Sequence, residues 1–298
     1  MKCGNRTSRL SRHTGVALIA VLWLVALLTL LAGAAVTLSV THRRTASRYA
    51  QAAQADLTLD AAIRVMILRL IAPPDRAPPF PIGNTQTVGV LDENVTIIVQ
   101  REAGRIDLNT ADRDLLMALF AANGWSERDA SSMAARIIDW RDPDDDVEEG
   151  GAESREYQAA HLNYGPHDGL FESVDELRQV LGSERINDEL YDSLTVFTHA
   201  PVAMESVATP AVKRAFVWAD QRQLGGHRWL SEQPGVGSPV IPAPSATALS
   251  GEVIRVRACI NQPTQRCREA VFRLTGNVRK PLQVFEWRTV GFQSEAPL

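Results

Sequence analysis

The sequence has 298 residues, of which 45% are hydrophobic and 22% are charged. This length allows one large domain or two medium-sized ones, and the composition excludes an intrinsically disordered chain. The formal net charge is −4, and it becomes −8 without the four basic residues that precede position 15.

The first predicted element is a membrane-spanning helix near the N-terminus. Residues 16–40 contain no charged side chain and are mostly apolar. A helix of this length rises about 37 Å, which exceeds the roughly 30 Å hydrocarbon core of a bilayer. Basic residues lie on both sides of the segment, at positions 2–12 and 43–48. Their distribution therefore does not settle the orientation of the helix.

Three interpretations of this apolar segment are open on the residues alone. A protease that cuts after Gly15 would leave the whole helix on the mature protein, with Val16 as its first residue. A secretory signal peptide would use the basic residues as its n-region and end at the small residues 32–34. An uncleaved anchor fits as well, because the apolar character continues as far as position 40.

A helical pattern continues beyond the membrane segment and is followed by strands. Apolar residues recur at helical spacing at Leu59, Ile63, Met66, Ile67 and Leu70. The pair Pro73 and Pro74 ends this helix, and strand-like sequence follows at residues 87–91 and 95–101. The N-terminal part is therefore expected to form one long helix, half in lipid and half amphipathic, before the first strands.

Residues 105–198 form an acidic block with a helical pattern. The block has 22 acidic and 8 basic residues, whereas the rest of the chain has 13 and 23. Helix starts are predicted at residues 109–112, at Ser126, at Ser173 with Glu176 as a capping box, and at Asn187. An all-helical acidic unit is therefore predicted between β-containing segments.

The acidic loop at residues 142–153 carries the clearest chemical signal. Seven of its twelve residues are acidic, so they repel one another unless a cation or solvent relieves them. The oxygen-bearing positions follow the spacing of a calcium-binding EF-hand loop, although Val147 replaces the Gly of its sharp turn. The predicted Ca²⁺ ligands are Asp142, Asp144, Asp146, Glu149 and Glu153. The alternative is a solvated acidic loop without a metal.

After Pro201 the pattern favours strands again. A short apolar run lies at residues 215–218, and further strands are predicted at residues 252–259, 268–275 and 282–290, after a loop at 233–250. Cys259 and Cys267 lie close enough in sequence for a disulfide on neighbouring strands, which would place this part in an oxidising compartment. Two buried thiols are the alternative.

The residues also bear on two other functional classes, DNA binding and catalysis. Residues 104–111 with Leu115 and Leu116 resemble the opening of helix-hairpin-helix units in competence-type DNA receptors, and residues 171–177 resemble a second copy. The net charge of −14 on the acidic block would repel phosphate, so DNA binding is only the alternative. No nucleophile elbow, phosphate loop or metalloprotease motif occurs, so no catalytic residue is predicted. A secreted Ca²⁺-dependent enzyme with an unrecognised site is the third possibility.

Several of these motifs, taken in order, resemble protein K of the general (type II) secretion pathway. They are the leader ending at Gly15 with the apolar helix, residues 104–110, 139–144, 150–153 and 284–288. The resemblance implies an α+β pilin-like fold: a long N-terminal helix on an antiparallel sheet, with a large all-helical domain inserted between strands and bound Ca²⁺. It also implies a minor pseudopilin at the tip of the type II secretion pseudopilus, which assists export of folded periplasmic proteins.

The resemblance assigns roles to the start of the helix. Prepilin peptidase would cut between Gly15 and Val16 and methylate the new amine, although most pilin-like proteins have Phe or Met where Val16 stands. The fifth mature residue is usually a Glu that pairs with the N-terminal amine of a neighbour, whereas here it is Ala20, as is typical of the K class. A subunit without this carboxylate belongs at the filament tip, because an unpaired charge in a bilayer is costly.

The predicted organisation follows from these assignments. It comprises a leader peptide at residues 1–15, a transmembrane helix at 16–41, a first pilin-like part at 42–104, the inserted domain at 105–198 and a second pilin-like part at 199–298. The expected partners are other minor pseudopilins in a heterotrimeric tip complex, prepilin peptidase and the bacterial inner membrane. No nucleic-acid partner is expected. The N-terminus would be cytoplasmic and the body periplasmic.

Overall fold

The computed structural model describes residues 14–72, 82–224, 249–260, 265–277 and 279–290. The chain divides into two compact units, Met1–Leu57 and Thr58–Leu298. Helix α1 runs from Thr14 to Ile71 and contributes to both units. It ends just before Pro73 and Pro74, as the sequence predicts, because proline has no backbone N–H for a helical hydrogen bond.

The first unit consists of the membrane-type part of α1. Residues 18–37 are all exposed, and the most apolar window has a mean hydropathy of 2.6 with none of it buried. The hydroxyl groups of Thr29 and Thr37 donate to the carbonyl oxygens of Ala26 and Ala34, each at 2.8 Å. Their donor groups are therefore satisfied within the helix, without a hydrogen bond to water. This helix is compatible with a single-pass membrane anchor.

The described part of the second unit contains two sheets. The strands are β1 (Thr85–Val90), β2 (Glu93–Arg101), β3 (Ile106–Asp107), β4 (Leu194–Thr195), β5 (Val253–Ile260), β6 (Arg266–Leu274) and β7 (Leu282–Val290). The larger sheet has the order β1-β2-β5-β6-β7, and all its pairs are antiparallel. The predicted α+β class with a long helix and an antiparallel sheet is confirmed.

The last turns of α1 pack in the core of the second unit. Leu59, Ile63 and Met66 are fully buried, at the spacing that the sequence predicts. The Asp60 carboxylate accepts hydrogen bonds from Arg268 Nη1 (2.7 Å) and from Trp287 Nε1 (2.9 Å). The helix is therefore joined to β6 and β7 by polar contacts as well as by apolar burial.

A helical insert lies in the connection between the neighbouring strands β2 and β5. Its α-helices are α2 (Arg113–Ala122), α3 (Glu127–Arg141), α4 (Ser154–Ala159), α5 (Asp188–Tyr191) and α6 (Pro210–Gln221). Short 3-10 helices cover Glu102–Gly104, Val174–Gln179, Ser183–Arg185 and Glu205–Val207. The side chains of Asp112, Ser126 and Asn187 accept backbone N–H groups at the predicted helix starts.

The predicted strand signal at residues 215–218 is wrong, because these residues lie within α6. Thr209 caps this helix and Pro210 occupies its first turn, both of which favour a helix start. The buried residues of α6 are Ala211, Val212, Ala215, Phe216 and Ala219. Their spacing is helical, whereas a four-residue apolar run on its own cannot distinguish a strand from a helix.

The insert has one continuous apolar core. It runs from Ile106 to Ala219 and includes the large side chains of Phe120, Trp140 and Tyr157. The short parallel pair of β3 and β4 joins the beginning of the insert to its later part through Ile106 N to Ser193 O (3.0 Å). The core therefore includes α6 as well as the acidic block.

Two features stabilise the sheet beyond its hydrogen bonds. The predicted disulfide is present: Cys259 on β5 faces Cys267 on β6, with Cα atoms 4.1 Å apart. In addition, the Glu269 carboxylate on β6 is fully buried and accepts from Arg255 (2.9 Å) and from Arg257 (2.9 Å). Burial alone would raise the pKa of Glu269, but these arginines and Arg288 outweigh it and hold the pKa at about 2.

The same arginines connect the sheet to the insert. Arg255 also donates to Glu102 (2.5 Å), and Arg257 Nη2 lies 2.7 Å from Asp192 in the insert. Glu102 is fully buried and Arg255 is 4% exposed. The result is a buried ion-pair network, formed by Glu102, Arg105, Asp192, Arg255, Arg257 and Glu269.

Candidate metal site

The acidic loop begins where α3 ends and is held by a buried carboxylate. Asp139, in the last turn of α3, is fully buried. Its two oxygens accept from the backbone N–H groups of Glu148 (3.3 Å) and Ala152 (2.7 Å), so one side chain fixes both the middle and the end of the loop. Burial raises the pKa of Asp139, with these hydrogen bonds opposing the shift. In the sequence, Asp139 stands out only as part of the motif at residues 139–144, and no local pattern predicts that it holds the loop.

Two glycines allow the loop to approach Asp139. Gly150 has a φ of +82°, a conformation that side chains with a Cβ rarely adopt. A Cβ on Gly151 would lie 2.0 Å from Asp139 Oδ2. The Gly150-Gly151 pair is therefore a geometric requirement of this loop.

Two of the five predicted ligands bury carboxylate oxygens that lack a protein partner. Asp142 Oδ1 and both Glu153 carboxylate oxygens are buried without a hydrogen bond from any described residue. Burial, followed by the charge of Asp139, raises the pKa of Glu153 to about 7. A buried, unpartnered carboxylate is unfavourable, and a cation is the group that would satisfy these oxygens.

The other three predicted ligands are exposed. Asp144 Oδ1 accepts from the backbone N–H of Asp146 at 3.0 Å, which makes a tight turn within the loop. The backbone oxygen of Glu149 accepts from Arg113 Nη2 at 2.6 Å. In the described part of the chain, no group of three or more His, Cys, Asp or Glu side chains is arranged to hold a metal ion. The fold therefore brings Asp142 and Glu153 into one charged environment without assembling the full predicted set.

One acidic residue near this site was missed from the sequence. The charge of Asp168 contributes to the raised pKa of both Asp142 and Glu153. Asp168 lies outside the loop and has a φ of +53°. No spacing rule links it to residues 142–153, because only the folding of the insert brings it close.

The residues with predicted processing roles lie at the start of α1. Gly15 and Val16 fall in its first turn, and Ala20 lies about one turn later with its side chain exposed. No acidic residue occurs in the first 55 positions of the chain. The cleavage, the methylation and the role of Ala20 stay predictions.

The hairpin between α2 and α3 follows residues 104–116, which resemble the opening of a DNA-binding helix-hairpin-helix unit. Asn123 in this hairpin donates to Leu119 O (2.6 Å) and Ala211 O (3.3 Å), and its Oδ1 accepts from Arg214 (2.8 Å). These polar groups therefore join the hairpin to α6 within the protein.

Known proteins match this chain in sequence and in fold. Residues 94–200 match the family model described as type II secretion system (T2SS), protein K. The fold is similar to a chain in the crystal structure of the GspK-GspI-GspJ complex from the enterotoxigenic Escherichia coli type 2 secretion system. The TM-score is 0.57 at 14% identity, over 83% of this chain and 99% of that chain. No curated protein sequence matches the chain.

Proposed function

We propose that this chain, a type II secretion system K protein, is a minor pseudopilin at the tip of the pseudopilus. The observation that carries the proposal is the family match over residues 94–200, which cover most of the helical insert. The exposed apolar part of α1 supports it, because a filament subunit needs a helix that passes from the bilayer into a bundle. In this role the protein assists the export of folded periplasmic proteins across the outer membrane.

The tip position is supported by the absence of acidic residues near the N-terminus. In pilin-like subunits a carboxylate near the start of the helix neutralises the amine of a neighbour within the bilayer. Ala20 cannot do this, and no Asp or Glu precedes Asp56. A charge left unpaired in the hydrocarbon core is strongly unfavourable. Such a subunit fits the first position of a filament, where it has no earlier amine to neutralise.

The test is assembly with the partners that this function requires. The full chain is co-expressed with the minor pseudopilins of the same secretion system and purified in detergent. We expect a complex with one copy of this chain, and its intact mass should correspond to a methylated start at Val16. Failure to form any complex would contradict the proposed function. A mature start at Ala35 would instead indicate a removed signal peptide.

We also propose a structural Ca²⁺ ion at the acidic loop. The support is the set of buried, unpartnered oxygens on Asp142 and Glu153, together with a donor set made only of oxygen, which Ca²⁺ prefers. Asp144, Asp146 and Glu149 would complete the site, and Asp168 adds charge to it. When bound, the ion would neutralise the loop and link the end of α3 to the start of α4.

The Ca²⁺ proposal predicts opposite effects for one substitution. In chelator, Glu153→Gln is expected to leave the free energy of unfolding unchanged or higher, because it removes a buried charge without a partner. Bound Ca²⁺ stabilises the unchanged chain by about 2.7 kcal/mol when its concentration reaches one hundred times the dissociation constant. In Ca²⁺ the variant should lose most of this stabilisation. Urea denaturation under both conditions measures this. Glu205→Gln, an exposed site, is the control, and an equal loss with and without Ca²⁺ would contradict the metal.

A further inference from the structure

Strand β7 is an edge of the larger sheet. It pairs with β6 on one side, and no described strand pairs with its other side. A free edge presents a row of backbone N–H and C=O groups in the plane of the sheet, which another extended chain can use. The strand β7 has nine residues, so it offers a row about 30 Å long.

An apolar groove flanks β7 on the side of helix α1. Its volume is about 690 Å³. Its apolar lining consists of Ile67, Leu68 and Ile71 from α1 and of Pro281, Leu282, Val284 and Trp287 from the strand side. Leu68 is 62% exposed and Val284 is 50% exposed. Apolar side chains inserted here would remove this surface from water.

Two arginines, Arg64 and Arg268, line this groove. The guanidinium carbon of Arg64 lies 5.6 Å from the centroid of the Trp287 ring. The neighbouring Asp60 carboxylate is already occupied by Arg268 and Trp287. Within the described residues no carboxylate pairs with Arg64, so its charge is available to an acidic residue from outside.

A charged cleft flanks β7 on the side of the insert. Its volume is about 330 Å³, and it is lined by Glu286 and Arg288 from β7 and by Asp175, Arg178 and Asp188 from the insert. Arg288 Nη1 lies 2.9 Å from Asp175. Polar and charged side chains fit this cleft, whereas apolar ones would leave its charges without solvent.

We propose that β7 accepts an additional antiparallel or parallel strand from a minor pseudopilin partner. Successive side chains of a strand point to opposite faces, so the partner segment alternates apolar residues toward the α1 groove with polar residues toward the charged cleft. It also carries an acidic residue next to Arg64. A docked helix could use the apolar groove, but it would leave the backbone row and the charged cleft unused. The inference rests on the proposed function, since that function supplies the partner.

Hydrogen–deuterium exchange of the full chain in detergent tests this inference. The probes are the minor pseudopilins of the same secretion system. We expect the β7 amides that point away from β6 to exchange at least tenfold more slowly in the complex, while the outward amides of β1, the other edge strand, keep their rate. A complex in which β7 is not protected overturns the inference and leaves the proposed function intact. Protection of the outward β7 amides already in the chain alone also overturns the inference, because a segment of the chain itself would then occupy the edge.

Matched variants provide the second measurement. Val284→Arg is expected to weaken the complex at least tenfold, and Arg64→Glu should do the same without changing the strand. Val217→Arg on α6 is the control, because Val217 is 58% exposed and lies outside the apolar groove and the charged cleft. Equal affinities for Val284→Arg and Val217→Arg would overturn the inference. If no complex forms with the unchanged chain, the proposed function and this inference both fail.

Discussion

Replacing Glu269 with Gln is expected to lower the free energy of unfolding by about 3–5 kcal/mol at pH 7, because it breaks a buried ion-pair network. Glu269 is fully buried and accepts from three arginines, Arg255 and Arg257 at 2.9 Å and Arg288 at 3.2 Å. The Gln side chain keeps the volume but leaves the positive charges without their shared anion. Urea denaturation of the full chain in detergent measures the loss.

Glu184→Gln is the matched control for this variant, since Glu184 is exposed. The pH dependence gives an independent check. The folded-state pKa of Glu269 is about 2, below the ordinary value of 4.5. Its contribution to stability is therefore complete above pH 4.5 and is lost as the pH falls toward 2, a change of roughly 3 kcal/mol. The Gln variant should have a flatter stability curve over this window, and an unchanged curve would contradict the role of Glu269.

Replacing Asp139 with Ala is expected to cost about 3 kcal/mol and to remove the response to Ca²⁺. The substitution leaves the N–H groups of Glu148 and Ala152 without their charged acceptor, and each such hydrogen bond is worth roughly 1.5–3 kcal/mol. The loop would then no longer be fixed against the end of α3. Urea denaturation in chelator measures the first effect, and the shift caused by added Ca²⁺ measures the second.

Asp145→Ala is the control for Asp139→Ala. Asp145 lies in the same loop but is exposed, so its loss should change the stability in chelator by less than about 0.5 kcal/mol. If both variants have the same stability and the same response to Ca²⁺, Asp139 does not fix the loop.

The elements that the sequence predicted correctly are those set by local chemistry. Ser126 and Asn187 accept N–H groups within their own helix turns, so a short window of sequence contains the whole interaction. The disulfide is similar, because Cys259 and Cys267 lie on strands that pair directly. The apolar spacing along the end of α1 also predicted its buried face.

The features that the sequence could not give depend on contacts between distant segments. In β5, Arg255 and Arg257 alternate with apolar residues, a pattern typical of a strand with one side toward solvent, yet Arg255 is only 4% exposed. The insert supplies Asp192, which pairs with Arg257 on that face, and the sequence of the strand does not indicate this contact. Likewise, Asp168 comes close to Asp142 and Glu153 only through the fold of the insert.

The position of the insert has a consequence for how such a protein arises. Strands β2 and β5 are hydrogen-bonded neighbours in an antiparallel pair, so a short turn would be enough to connect them. All the helices from α2 to α6 thus occupy a place where a simple hairpin needs only a few residues. A gene segment gained or lost at this single junction changes the size of the protein while the sheet keeps its order. The insert can therefore be enlarged or reduced without rebuilding the five-stranded sheet.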